Sequence, residues 1–241
     1  MPSYLEIALG SLIAGTLDTV AGFGGVLLLL PILVLAADSR DAVLLSAIIP
    51  LGWNIVRIVM VRPWLRVREA LLFAAGIIPG AAIGAWLFEG FDPELLRSAI
   101  GIVLVIFGSY YVLRLYVEVP QLRMSRAWFP LVGVLSGIVA AVLGGGHGPL
   151  QSAALSAAAL SPREVAATNG AIGGITALAR LGAYAASGSL HSALWLPGMI
   201  GAVSGAIGAI IGIRIARRGK DSTLELVIGA ALVLAGMRML M

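Results

Sequence analysis

Long runs of hydrophobic residues, separated by short polar turns, dominate the pattern along this chain. The runs lack the two-residue alternation of a membrane β-barrel, so they predict α-helices. Two of them, at about 25–37 and 149–160, are too short for a hydrocarbon core of about 30 Å. The pattern predicts an all-α integral membrane protein. The runs of spanning length cover about 4–22, 42–62, 67–88, 95–116, 128–145, 164–186, 192–216 and 222–241.

The composition supports a membrane location and excludes several other classes. Hydrophobic residues make up 60% and charged residues 12% of the chain, against about 25% charged in soluble domains. The net charge of +4 does not indicate a nucleic-acid partner, because the basic residues stand near the ends of the runs, as membrane anchors do. The absence of cysteine excludes disulfides and thiolate metal sites. No metal site or cofactor is expected, and the first run, which lacks a basic n-region before it, is expected to be a retained helix.

Two glycine clusters interrupt the hydrophobic pattern, and each precedes one of the short runs. Glycine permits the positive φ that ends a helix, and a helix that restarts inside the membrane points free N–H groups into the protein. Such a helix start can bind an anion, and glycine-broken helices in both halves of a membrane protein are typical of a transporter site. For His147, the alternative is an ordinary polar residue at a helix start. The predicted substrate-binding residues here are Gly22, Phe23, Gly24, Gly25, Gly145, Gly146, His147, Gly148, Gln151 and Ser152.

The order of glycines and arginines repeats between the two parts of the chain. We predict a first repeat over 1–116, a cytoplasmic linker over 117–127 and a second repeat over 128–241. Basic residues crowd the loop near 62–68 in the first repeat but the loop near 214–220 in the second, which places equivalent loops on opposite sides of the membrane. This indicates inverted repeats with both termini outside. Whether each short helix and its predecessor cross the membrane twice or form a re-entrant hairpin is left open. The matching positions are Gly22 and Gly144, Arg57 and Arg180, Gly101 and Gly229, and Gly108 and Gly236.

Arg57 and Arg180 occupy equivalent positions inside hydrophobic runs. A buried arginine is costly and is commonly functional. A guanidinium group can hold an oxyanion through two parallel hydrogen bonds, so both residues are predicted to bind substrate. One alternative is that each arginine side chain extends to the membrane interface. Another is that the two arginines act as separate gates on opposite sides of the membrane.

Asp18 lies one helical turn before the first glycine cluster, and its counterpart in the second repeat is Ala140. An intramembrane carboxylate commonly carries a proton or holds a cation, so Asp18 is the predicted coupling residue. The alternative is a structural salt bridge with Arg57. Asn54 and Asn169 are expected to border the substrate site, and ordinary interhelical hydrogen bonding is their alternative role.

With these motifs in place, the chain resembles the TauE/SafE family of membrane permeases. The resemblance rests on the two Gly-rich segments at 21–31 and 144–149, the helices that begin at Asp41 and Glu164, and the final glycine pattern of 229–236. It covers nearly the whole chain. It implies transport of sulfite, of sulfonates such as sulfoacetate, or of related organic anions across the bacterial inner membrane.

The expected function is therefore secondary transport of a small oxyanion by alternating access, coupled to a proton or sodium gradient. No nucleotide-binding Gly-x-x-x-x-Gly-Lys-Ser/Thr motif is present, which argues against direct use of ATP. A passive anion channel is the main alternative. An intramembrane enzyme is less favoured, because no nucleophile motif surrounds the serines or histidines. The expected partners are a small anion, the lipid bilayer and a coupling H⁺ or Na⁺, with a homodimer left open.

Overall fold

The computed structural model describes residues 4–22, 24–113, 116, 123–216 and 222–241. Within them the chain forms ten α-helices and no strand, so the all-α prediction is confirmed. Each predicted hydrophobic run corresponds to one helix, with ends within a few residues of those expected. The helices are α1 Tyr4–Ala21, α2 Gly25–Ala36, α3 Ser39–Val61, α4 Val67–Glu89, α5 Pro93–Leu113, α6 Phe129–Leu143, α7 His147–Ala157, α8 Pro162–Ala186, α9 Trp195–Ala216 and α10 Ser222–Leu240.

Six helices of the described chain are long and apolar enough to cross a membrane: α1, α3, α4, α5, α6 and α9. The α8 helix has 25 residues, enough to cross, yet it is not among the six. Its sequence is less apolar because it carries Thr168, Asn169, Thr176 and Arg180, all of them buried inside the protein. The α8 helix therefore directs its polar side chains inward, where lipid does not reach them.

The chain reverses direction at each glycine cluster, which forms two helical hairpins. In the first, Gly25 at the start of α2 lies against Asp18 near the end of α1, while Gly10 lies against Ile32 further along α2. In the second, the backbone N–H of Met124, just before α6, donates to the carbonyl of Ala157 at the end of α7, at 2.9 Å. Both pairs are therefore antiparallel, with the glycine clusters at their tips.

Helix packing pairs each half of the chain with the other. The α1 helix packs against α9 and α6 packs against α4, while α3 and α8 pack together at the centre. The α5 helix packs against α10 through reciprocal glycine contacts: Gly101 faces the carbonyl of Gly236, and Gly108 faces that of Gly229. These four positions are matching positions of the predicted repeat, and a two-fold relation between the halves would produce reciprocal contacts of this kind. The repeat itself and its orientation relative to a membrane stay predictions.

Candidate functional site

A cavity lies where the two hairpin tips meet the central helices α3 and α8. The space between the atoms there amounts to about 500 Å³, a figure that includes the part open to the surroundings. Helical spacing turns one face of α3 and one face of α8 toward it. The predicted site residues that line it are Asp18, Gly24, Asn54, Arg57, Gly146, His147, Gly148, Gln151, Asn169 and Arg180.

Four of the five remaining predicted residues lie beside the cavity without lining it. Gly22 directly follows the last residue of α1, and Gly25 lies against Asp18. Gly145 lies against leucine side chains of α2, and Ser152 is buried on α7. Phe23 lies outside the described residues.

The glycine breaks have the same backbone conformation in both hairpins. Gly22 and Gly24 have φ of 87° and 98°, and Gly144 and Gly146 have φ of 76° and 84°. An L-residue with a Cβ is strained in this left-handed region, which explains why both turns use glycine at these positions. In each turn the first glycine ends one helix and the second immediately precedes the next, as the sequence predicted.

Arg57 is buried on α3 and holds the tip of the first hairpin. It forms an ion pair with Asp18, and its Nη2 donates to the carbonyls of Gly22 at 3.0 Å and Ala166 at 2.9 Å. The Gly22 carbonyl also accepts from Nδ2 of Asn169, at 3.1 Å. Because Gly22 ends α1, these donors meet the negative end of that helix. The guanidinium group is thus directed into the protein and does not snorkel.

Asp18 has two partners, one on each side of its carboxylate. One oxygen pairs with Arg57, and Oδ1 accepts the backbone N–H of Gly25, the first residue of α2, at 2.8 Å. The carboxylate therefore caps the start of α2 across the hairpin, in the position that a bound anion would take. The salt bridge that the sequence analysis held as the alternative for Asp18 is present in the structure.

Arg180 takes the equivalent place at the second hairpin, without a carboxylate. Its Nη1 donates to the Gly144 carbonyl, which ends α6, at 3.3 Å and to the Ser46 carbonyl at 3.2 Å. Its Nη2 donates to the Val43 carbonyl at 2.9 Å and to Oγ of Ser46 at 2.8 Å. Among the described residues no acidic side chain pairs with Arg180, which is only 1% exposed.

Several polar atoms around the cavity are buried without a protein partner. They are Nδ1 of His147, Oε1 of Gln151, Oδ1 of Asn169 and Nε of Arg180. Buried polar groups are nearly always hydrogen-bonded, so such a cluster indicates a place for a polar ligand. In the described part of the chain, no group of three or more acidic or histidine side chains is arranged to hold a metal ion.

Sequence reasoning missed Ser46, which lines the cavity and joins Arg180 to the Gly144 carbonyl. A signal for it was available. Ser46, Asn54 and Arg57 fall on one face of α3 at helical spacing, so the predicted asparagine and arginine already marked the face that carries the serine.

The described fold, with its apolar helices of spanning length and its polar cavity at two helix breaks, is that of a multi-pass membrane protein. The chain belongs to the sulfite exporter TauE/SafE family, because the sequence model of that family matches residues 7–239. This is a family of membrane transporters for sulfite-type anions. The searches of curated proteins and of solved structures each found no match.

Proposed function

We propose that this protein is a secondary transporter that moves a small sulfur-containing or organic oxyanion, such as sulfite or sulfoacetate, across the bacterial inner membrane. The observation that carries the proposal is the pair of unpartnered buried nitrogen atoms on two residues that line the cavity, Nε of Arg180 and Nδ1 of His147, which can donate hydrogen bonds to an anion. An oxyanion can accept hydrogen bonds from the Arg180 and α7 donors. The family supports the sulfite-type anion as cargo.

The start of α7 is the proposed anion subsite. Its first turn carries free backbone N–H groups and the positive end of the helix dipole. Gly146, His147, Gly148 and Gln151 place this turn at the cavity wall. Unlike the start of α2, which Asp18 caps, the start of α7 has no carboxylate in its first turn.

Alternating access by the two halves is the proposed mechanism. The reciprocal contacts between α5 and α10 and the matching hairpins support a two-fold relation of the repeats. Gly101 faces Gly236 and Gly108 faces Gly229, so α5 and α10 run antiparallel, as equivalent helices of inverted repeats do. In this proposal both termini lie outside and the two hairpin tips meet near the middle of the bilayer.

Asp18 is the proposed coupling residue. It is the one acidic side chain among the described residues that line the cavity, and its ion pair with Arg57 ties the first hairpin to α3. A proton or a sodium ion that competes for this carboxylate would loosen the tie and change the position of the hairpin. The coupling separates a transporter from a passive channel built on the same residues.

The test is uptake of labelled sulfite and sulfoacetate into proteoliposomes, with and without an imposed proton or sodium gradient. We expect saturable uptake that a gradient accelerates and that Gln151→Leu lowers by about tenfold, since a lost bond to a charged ligand has roughly this effect. Ala153→Leu, at an exposed position of the same helix, is the matched control. Asp18→Asn should abolish the response to the gradient. Uptake that ignores every gradient would indicate a channel, and no uptake by folded protein would refute the substrate class.

A further inference from the structure

The charges of the ionised side chains around the cavity do not sum to zero. Among the described lining residues they are Asp18, Arg57 and Arg180. Asp18 and Arg57 form an ion pair and cancel each other. One net positive charge remains, and it belongs to Arg180.

The charge of Arg180 is not neutralised by its protein partners. They are two backbone carbonyls of α3, the carbonyl of Gly144 and the hydroxyls of Ser46 and Tyr184, all of them neutral dipoles. Its Nε is buried and has no hydrogen-bond partner. A buried cation without a counter-ion is costly in a protein interior, so one negative charge in the cavity would be strongly favoured.

The other polar groups at the cavity wall are neutral donors and acceptors. Gln151 and Asn169 carry amides, and the Oε1 and Oδ1 atoms of these side chains have no partner. Asn54 also contributes an amide. Only the N–H₂ groups of these amides can donate to the oxygens of an anion, since the amide oxygens are acceptors. None of these neutral groups compensates a second full negative charge.

We propose that the cavity selects singly charged oxyanions, such as bisulfite and simple sulfonates, over doubly charged ones of the same shape. This inference rests on the proposed function and narrows its substrate class: it favours bisulfite over sulfoacetate, whose sulfonate and carboxylate groups carry two charges. A monoanion brings the cavity to neutrality with Arg180, whereas a dianion leaves one negative charge unbalanced in surroundings of low dielectric constant. Asp18 sets this preference, because its carboxylate cancels Arg57 and keeps the cavity at one net positive charge.

Methanesulfonate and sulfate test the proposal, because they are nearly isosteric and carry one and two fixed charges. Binding to the purified full-length protein is measured by calorimetry at mildly alkaline pH, where histidine is neutral. We expect methanesulfonate to bind at least about tenfold more tightly than sulfate, given the strength of charge interactions in partly dry sites. Sulfate that binds as tightly as methanesulfonate would overturn the proposal.

Charge variants then move the preference in opposite directions. Asp18→Asn adds one net positive charge and should shift the ratio of the two affinities toward sulfate by about tenfold. Asn54→Asp removes one net positive charge and should weaken the binding of sulfate more than that of methanesulfonate. It gives an independent test if Asp18→Asn does not fold. Asp38→Asn makes the same chemical change at the exposed cap of α3 and should leave the ratio unchanged. An unchanged ratio in Asp18→Asn would refute the assignment.

The failure of this inference can be told apart from the failure of the proposed function. If neither methanesulfonate nor sulfate binds, the monoanion site is wrong. Sulfite uptake in proteoliposomes then decides whether the protein is still an anion transporter. Uptake of sulfite without monoanion preference would keep the proposed function and reject this refinement of it.

Discussion

The ion pair between Asp18 and Arg57 makes a prediction that a double-mutant cycle can measure. Both side chains are buried, at 5% and 4% exposure. Asp18→Ala leaves the Arg57 charge buried without a counter-ion, which costs about 3–5 kcal/mol. It also leaves the Gly25 N–H without its acceptor, which adds about 1–3 kcal/mol.

Arg57→Ala has a similar cost for a related reason. It leaves the Asp18 carboxylate unpaired and removes the donor of the Ala166 carbonyl. The Gly22 carbonyl keeps its bond from Asn169, so that part of the loss is small. The double variant buries neither charge. It should therefore be less destabilised than the sum of the single changes, by at least about 1 kcal/mol.

The assay is unfolding of the detergent-solubilised protein by heat or denaturant. Unfolding is monitored by the circular dichroism of the helices and by tryptophan fluorescence. The matched control is the exposed pair of Asp41 and His191, joined at 2.9 Å, where the same cycle should give a coupling within about 1 kcal/mol of zero. Additive effects of Asp18→Ala and Arg57→Ala would refute the reasoning, because they would show that the two charges do not stabilise each other.

Three further changes test the packing and the caps. Gly24→Ala combines a φ of 98° with a Cβ placed 2.6 Å from the Tyr111 hydroxyl, so it should lower the free energy of unfolding by about 2–4 kcal/mol. Its control is Gly188→Ala, at a position with a positive φ but open space around it. This control should lose about 1 kcal/mol in the same melting assay. Ser161→Ala removes the capping box of α8 and should lower the free energy of unfolding by about 1 kcal/mol. Gly108→Leu should push α5 from α10 and cost at least about 2 kcal/mol, with cross-linking of the two helices as a second readout.

The helices were predictable because membrane burial imposes long apolar runs, and because glycine clusters mark where the runs break. The α3 and α8 helices begin two or three residues earlier than expected, because the caps at Asp38 and Ser161 extend each helix beyond its apolar part. The apolar pattern also predicted a run of spanning length at 164–186, but the helix found there, α8, is not among the six that are long and apolar enough to cross a membrane. Asn169 and Arg180 on its polar face line the cavity.

The composition of the cavity wall was only partly predictable. Arg57 and Arg180 stood out because charge is rare within apolar runs. Their hydrogen bonds to the ends of α1 and α6 did not follow from the sequence, because those bonds depend on how the hairpins fold back. The same holds for the capping of α2 by Asp18. A carboxylate near a glycine break is compatible with several partners, and only the tertiary arrangement selects one.

The difference between the two hairpins gives the most direct test of the cavity's charge. The backbone positions of Asp18 and Ala140 are equivalent, because their carbonyls accept the N–H groups of Gly22 and Gly144 at 2.8 and 2.9 Å. An aspartate at position 140 should therefore pair with Arg180 and cap α7, as Asp18 pairs with Arg57 and caps α2.

Ala140→Asp should then fill the proposed anion subsite with a carboxylate of the protein itself. Ala140 is fully buried, so the larger side chain carries a packing cost of about 1–3 kcal/mol, and Ala140→Asn has the same volume without the charge. We expect methanesulfonate binding to fall by at least about tenfold in the aspartate variant relative to the asparagine variant. Equal affinities in the two variants would mean that the charge of Arg180 does not attract the anion, and that an anion bound by this protein lies elsewhere.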